Sequence, residues 1–269
     1  MADFTYPPPN PPCAVREPIA LSKLQALTTI VAPSACRISS PARVATGFLC
    51  NDSIGYLKEE FLFLLVTNNH VLPDISMQSL ANVACQFPSQ QDIWLSAQNV
   101  DFAWTEKDLD VTIIGLTDPL VAQLQTSAHF LHVGTPVVGQ QVAIIGHPGG
   151  GEAALEYGPI HHIVGSTRFW AGYKGKPGTS GSPVVLADFC IVAGIHIGPV
   201  FQSSSQAVNL KYAIELYLKD LLAHRGILSR TFSNLLKIRP LGRECEIISK
   251  LAQDHWCKLD IGIGKYQRL

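Results

Sequence analysis

The chain has 269 residues, a formal net charge of −1 and an apolar fraction of 47%. That is enough chain to bury a substantial core, as one large domain or two small ones. Charged residues make up only 15%, with 20 basic against 21 acidic, which excludes a disordered polyelectrolyte and gives no electrostatic case for nucleic acid. The N-terminal stretch MADFTYPPPNPPC has no positive region followed by an apolar run, so no secretory signal is expected. No apolar run approaches the ~18 residues of a membrane span.

In chain order, residues 1–18 are Pro-rich and read as an extended arm. A short helix is expected over Leu21 to Leu27. From about Ala35 to Ile197 the chain is a series of short apolar, β-branched runs cut by turn residues. Examples are Val44 to Cys50, Phe61 to Thr67, Val111 to Leu116, Val142 to Gly146, Pro183 to Leu186 and Cys190 to Ile197. Many short strands without alternating helices indicate an all-β sandwich or barrel pair. Then Ile214, Tyr217, Leu218, Leu221 and Leu222 fall at i, i+3, i+4, i+7 and i+8, one face of an amphipathic helix. Gly226 is a plausible stop for it. Residues 227–269 carry a further helical stripe at Ile247, Ile248 and Leu251.

The seven cysteines are an odd number, with no CxxC pair, and read as free thiols in a reducing compartment. Cys245, His255 and Cys257 lack the paired spacing of a zinc site, so no metal or other cofactor is expected.

Three segments carry chemistry. Leu65-Val66-Thr67-Asn68-Asn69-His70-Val71 delivers a histidine at the end of a strand. Lys107-Asp108-Leu109-Asp110-Val111-Thr112 opens a buried strand with an aspartate. Gly178-Thr179-Ser180-Gly181-Ser182-Pro183 presents a serine on a Gly-rich turn. A serine hydroxyl is a weak nucleophile until a base takes its proton, and neutral imidazole suits that role near pH 7. A carboxylate then fixes the tautomer and stabilises the imidazolium. Gly178 and Ser180 can turn two backbone N–H groups toward one spot, as an oxyanion hole requires. Each segment alone is weak; the order His, Asp, Ser in an all-β chain is not.

With these motifs the sequence resembles the chymotrypsin-like (trypsin-fold) serine proteases, from about Ala35 to His224. The closest likeness is to members without disulfides. Ala45-Thr46-Gly47-Phe48 resembles the strand before their catalytic histidine. Thr67-Asn68-Asn69-His70-Val71 and Ser180-Gly181-Ser182-Pro183-Val184 resemble segments of glutamyl endopeptidases and HtrA-type proteases. Ile144-Ile145-Gly146-His147-Pro148-Gly149-Gly150 resembles a segment of intracellular trypsin-like peptidases. The resemblance implies two antiparallel six-stranded β-barrels followed by a C-terminal helix and a helical tail. The protease domain would span 19–226, with the barrel boundary near 120–138, and 227–269 would be a helical extension that could hold a regulatory partner. It implies a protein or peptide substrate, with His70 as general base, Asp110 as its orienter, Ser180 as nucleophile, and Gly178 and Ser180 as the oxyanion hole.

Val192-Ala193-Gly194-Ile195-His196-Ile197-Gly198 resembles the strand whose histidine lines the S1 pocket in relatives that cleave after Glu or Gln, with Lys174 as a possible source of positive potential. At Gly175 those relatives carry a hydroxyl residue. Relatives activated by cleavage place an aspartate before the serine; here it is Thr179. With Val71 following His70, the resemblance implies an intracellular, cytoplasmic enzyme rather than a secreted zymogen. The competing reading is a catalytically silent trypsin-fold module that binds peptides or partner proteins.

Overall fold

The computed structural model describes residues 18–41, 43–53, 61–73, 75–88, 92–201 and 204–220. The Pro-rich arm, Gly226, the second helical stripe, and Cys245, His255 and Cys257 lie outside the described residues.

Helix α1, Leu21–Ala26, continues through a wide π-helical turn, Leu27–Val31, into the first strand. The strands are β1 Ala35–Ser39, β2 Val44–Ser53, β3 Phe61–Thr67, β4 Ala84–Gln86, β5 Ile93–Trp94, β6 Val100–Glu106, β7 Val111–Leu116 and β8 Leu131–His132. Short helices α2, Met77–Leu80, and α3, Asp118–Leu124, lie between them. These eight strands form one sheet in the order β5-β4-β1-β2-β3-β7-β6, with β8 added parallel to β2. The sheet curls around its own core of residues such as Ile38, Leu49, Leu65, Leu95 and Ile114. Its end strands β5 and β6 are not hydrogen-bonded to each other among the described residues, so this first half is a curled half-barrel.

The second half comprises β9 Gln141–Gly146, β10 Ala154–Val164, β11 Arg168–Ala171, β12 Pro183–Leu186, β13 Ile191–Phe201 and β14 Ser204–Asn209. It closes as a six-stranded antiparallel barrel, β10-β11-β14-β13-β12-β9. Its interior holds Val142, Ile144, Phe169, Tyr173, Val184 and Ala193. A helix over residues 210–220, here α4, follows.

A third core joins the halves. Leu27, Phe48, Val66 and Ile113 from the first meet Ile145, Val185 and Val208 from the second, with Ile214 and Tyr217 of α4 in the same cluster. The amphipathic reading of Ile214 and Tyr217 therefore has a physical object, the seam between two sheets. Tyr217 stacks on Phe102 with ring centroids 4.9 Å apart and tilts against Trp104 at 5.8 Å. Trp104 Nε1 donates to Asp220 at 3.2 Å, tying the end of the described helix to β6. The linker between the halves is also tied down. β8 pairs with β2, and Val133 forms a parallel bridge to Val192 of β13.

Removing the aromatic ring with Tyr217→Ala empties the seam at a site only 3% exposed. It is expected to cost about 3–5 kcal/mol, read as a lower urea midpoint at unchanged slope.

Candidate active site

His70 and Asp110 sit where β3 ends and β7 begins. The register of the pair sets Thr67 opposite Thr112, so the residues just outside the ladder face each other. Asp110 adopts a left-handed backbone conformation, φ 62°. Few non-glycine residues tolerate this; Asp and Asn do so best. Asn68 Nδ2 donates to the Asp110 carbonyl at 2.9 Å, and Asp110 N–H closes a turn on Lys107 O at 3.1 Å. These bonds hold the strained residue, and strain of this kind clusters at functional sites.

The consequence is a two-point grip. Asp110 Oδ1 accepts the His70 backbone N–H at 2.8 Å, and Oδ2 meets His70 Nδ1 at 2.7 Å. A carboxylate only accepts, so Nδ1 carries the hydrogen and a neutral ring presents its Nε2 lone pair. Asn69 Nδ2 donates to Thr105 Oγ1 at 2.7 Å, which anchors the histidine turn to β6.

Ser180 lies in a turn fixed on three sides. Its carbonyl accepts Thr46 N–H at 3.0 Å, and Gly181 N–H donates to His196 O at 3.0 Å. Thr179, buried, donates its hydroxyl to Lys176 O at 2.7 Å and accepts Lys176 N–H at 3.1 Å. The residue that replaces an activating aspartate thus closes its own turn. A Cβ on Gly181, φ +83°, would lie 2.1 Å from Thr46 O and 2.4 Å from Thr67 Oγ1. That close approach brings the serine turn against the strand that delivers His70. Ser180 Oγ donates to Ile197 O at 3.3 Å, so in this state its hydrogen bond is not to His70. The N–H groups of Gly178 and Ser180 donate to no group among the described residues. Ser182, buried, packs against Gly146 instead.

His196 is 1% exposed, on β13. Burial, with a further contribution from the charge of His70, pushes its pKa down to about 4. Its imidazole is therefore neutral at pH 7. Tyr173 meets it edge-on with centroids 5.5 Å apart. His196 Nδ1 and the Tyr173 hydroxyl are both buried without a hydrogen-bond partner among the described residues. Gly175 accounts for the missing hydroxyl residue: a Cβ there would lie 2.1 Å from His196 Nε2. Lys174 is exposed, and its backbone N–H donates to Glu156 Oε2 at 2.6 Å. Burial raises the pKa of the Tyr173 hydroxyl, and Glu156 adds to that rise.

Sequence reasoning missed Tyr173, Glu156 and Thr46. Thr46 was within reach, inside the Ala45-Thr46-Gly47-Phe48 motif. Among the described residues no group of His, Cys, Asp and Glu is arranged to hold a metal, and Cys36, Cys50, Cys85 and Cys190 are free thiols. Among them, too, no helix is long and apolar enough to cross a membrane.

A β fold of one closed barrel and one half-barrel, with paired His and Asp in the half-barrel and a serine turn in the barrel, defines a class that family comparison makes specific. Residues 45–193 match the trypsin-like peptidase domain, and the chain belongs to that family. Among solved structures it is similar to Rv3671c of M. tuberculosis H37Rv, an inactive mutant form. The TM-score is 0.55 at 16% identity, over 77% of this chain and 95% of that one. It is also similar to a serine endoprotease from Yersinia pestis, with TM-score 0.54 at 15% identity over 75% and 67% of the two chains. The inactive form of Rv3671c protease gives 0.53 at 18% identity over 76% and 98%. No curated protein matches this chain.

The buried neutral imidazole has a measurable signature. An unfolded histidine binds its proton near pH 6.5 and the folded one near 4, so unfolding takes up a proton between those values and stability falls as pH falls through that window. His196 is expected to contribute a loss of about 3 kcal/mol across it. Urea unfolding at successive pH values should show a shallower acid slope for His196→Gln than for the wild type.

Proposed function

We propose that this trypsin-like peptidase is a serine endopeptidase whose nucleophile is Ser180, general base His70 and orienting carboxylate Asp110. The observation that carries the proposal is the pair of hydrogen bonds that the Asp110 carboxylate accepts from the His70 backbone N–H and Nδ1–H. It fixes both the tautomer and the ring plane of the base before substrate arrives. On this reading Ser180 Oγ exchanges its bond to Ile197 O for one to His70 Nε2 when substrate binds. Hydrogen bonds of this kind are often loose without substrate.

In the first step Ser180 Oγ bonds to the scissile carbonyl carbon while its proton passes to His70 Nε2. The carbonyl oxygen becomes an oxyanion facing the free N–H groups of Gly178 and Ser180. Collapse breaks the C–N bond, and His70 gives its proton to the departing amine, leaving an acyl-Ser180 ester. Water, deprotonated by His70, then adds to the ester, and collapse returns the proton to Ser180 Oγ.

The same proposal places the P1 side chain against His196. Two buried polar atoms without partners, on Tyr173 and His196, are costly unless a ligand or water meets them. A Glu or Gln side chain offers oxygens that accept from a neutral imidazole N–H. Gly175, with no Cβ, lies against the Nε2 side of the ring, which leaves the unpartnered Nδ1 as the atom to meet it, and Lys174 is exposed beside Gly175. A reducing, intracellular setting is the companion reading, supported by buried thiols at Cys36 and Cys85 that face each other as hydrogen-bond partners.

A fluorophosphonate probe should label the wild type and fail on Ser180→Ala and His70→Ala. Asp110→Asn should lower kcat by on the order of 10⁴ through the wrong tautomer. Labelling that survives Ser180→Ala puts the nucleophile elsewhere, and no labelling of a folded wild type at any pH near neutrality selects the silent peptide-binding module instead. Cleavage of a peptide library should show Glu or Gln at P1. A profile that His196→Ala leaves unchanged removes His196 from the pocket.

A further inference from the structure

The segment Gly146-His147-Pro148-Gly149-Gly150 has no part in the reaction as proposed above. It lies wedged under the turn that carries Gly178. A Cβ on Gly178, φ +93°, would lie 2.5 Å from His147 O and 2.7 Å from Gly149 N, so backbone packs directly on backbone. Gly149 N–H donates to the Pro177 carbonyl at 2.7 Å. A trans peptide is planar, with its C=O and N–H pointing in opposite directions. Fixing Pro177 O on Gly149 therefore aims Gly178 N–H away from this segment, where it has no partner among the described residues.

The next peptide is fixed from the other half of the molecule. Thr46, wholly buried on β2, donates its hydroxyl to Gly178 O at 2.9 Å. The Thr46 hydroxyl oxygen in turn accepts His147 N–H at 2.9 Å. With the Gly178 carbonyl held there, Thr179 N–H reaches Lys176 O at 3.0 Å and the turn is closed. The supporting segment is itself clamped: His147 Nδ1 bonds Gly151 O at 3.0 Å, and Arg37 Nη1 donates to Gly150 O at 3.0 Å.

We infer that Thr46 and the Gly149 N–H are positioning groups that lock the oxyanion hole in its donating form, without an activation ion pair. The inference rests on the reading of Ser180 as nucleophile. The state they exclude is a rotated Pro177–Gly178 peptide, in which a carbonyl replaces the Gly178 N–H. A carbonyl oxygen at that position repels a developing oxyanion instead of stabilising it.

The test is steady-state kinetics of the full chain with Thr46→Val, which keeps the shape and deletes both hydrogen bonds. Because the lost stabilisation appears only in the transition state, kcat should fall at least ~10-fold while KM stays within ~3-fold. Affinity for a peptide aldehyde, whose hemiacetal oxygen occupies the same hole, should fall in step with kcat. Thr46→Ser should restore most of both, which a packing defect would not allow. Should Thr46→Val fail to fold, Gly149→Val serves in its place, since a β-branched residue resists the left-handed φ of +62° found there. It should give the same split between kcat and KM. A folded variant with kcat within ~2-fold of wild type, well below the ~10²-fold or more that loss of one oxyanion donor costs, overturns the inference alone. So does loss of kcat with aldehyde affinity intact. Absence of Ser180-dependent turnover in the wild type overturns the peptidase reading and this inference together.

Discussion

The two halves of the molecule meet at Thr46, and the rest of the site depends on that meeting. Thr46 N–H donates to Ser180 O, its carbonyl accepts Thr67 Oγ1 at 2.8 Å, and its hydroxyl links His147 N–H to Gly178 O. A buried residue with an unmade hydrogen bond is costly, so a side chain that satisfies all of its polar atoms across a seam fixes the seam's register. Thr67 is the last residue of β3, three positions before His70. One residue therefore relates the strand that delivers the histidine to the turn that delivers the serine. The apolar core around Phe48, Val66, Val185 and Val208 supplies the attraction between the halves but is non-directional. The directional information comes from polar bonds across the seam, those of Thr46 together with Arg37 to Gly150 O and Arg168 to Asp108 O.

A second constraint operates inside the first half. A residue in extended geometry at position 110 would alternate its side chain with Val111 across the sheet. The left-handed turn instead brings the carboxylate back over the adjoining strand end, where it meets backbone and ring of His70 together. The conformational cost is offset by Asn68, whose side-chain amide holds the Asp110 carbonyl. A similar economy appears at Thr179, which satisfies both Lys176 backbone groups with one hydroxyl. Local hydrogen bonds here do what a distant ion pair would otherwise have to do.

How far the sequence discloses this architecture depends on which residues carry the signal. Strands β3, β7 and β12 are apolar on both faces, and their bounds in the structure coincide with the runs Phe61 to Thr67, Val111 to Leu116 and Pro183 to Leu186. Strand β14, Ser-Ser-Gln-Ala-Val-Asn, has little hydrophobic pattern, and it exists because β11 and β13 hydrogen-bond it from both sides. Strands β1, β6, β8 and β11 were likewise not evident as separate runs, since each is short or of mixed polarity. His70, Asp110 and Ser180 stood out because each lies in a local motif. Tyr173, Glu156 and Thr46 act through contacts 18 to 132 residues apart in the chain, which no local pattern encodes. The glycine at 175 departs from related sequences for a reason that no local pattern shows: a Cβ there would lie 2.1 Å from His196 Nε2. The half-barrel form of the first sheet was not legible either, because closure depends on strand tilt and stagger rather than on composition.

The linker between the halves has a mechanical consequence. Many two-lobed proteins join their lobes by a free segment whose backbone torsions absorb opening and closing over microseconds to milliseconds. Here the linker is stitched to the first sheet at Cys50 and Asn51 and to the second barrel at Val192. Both pairings fall on the consecutive residues 131–133, so one short stretch is clamped to both halves at once, while 125–130 and 134–140 lie outside helices and strands. A clamp at that point resists sliding of β2 past β13, the two strands it touches.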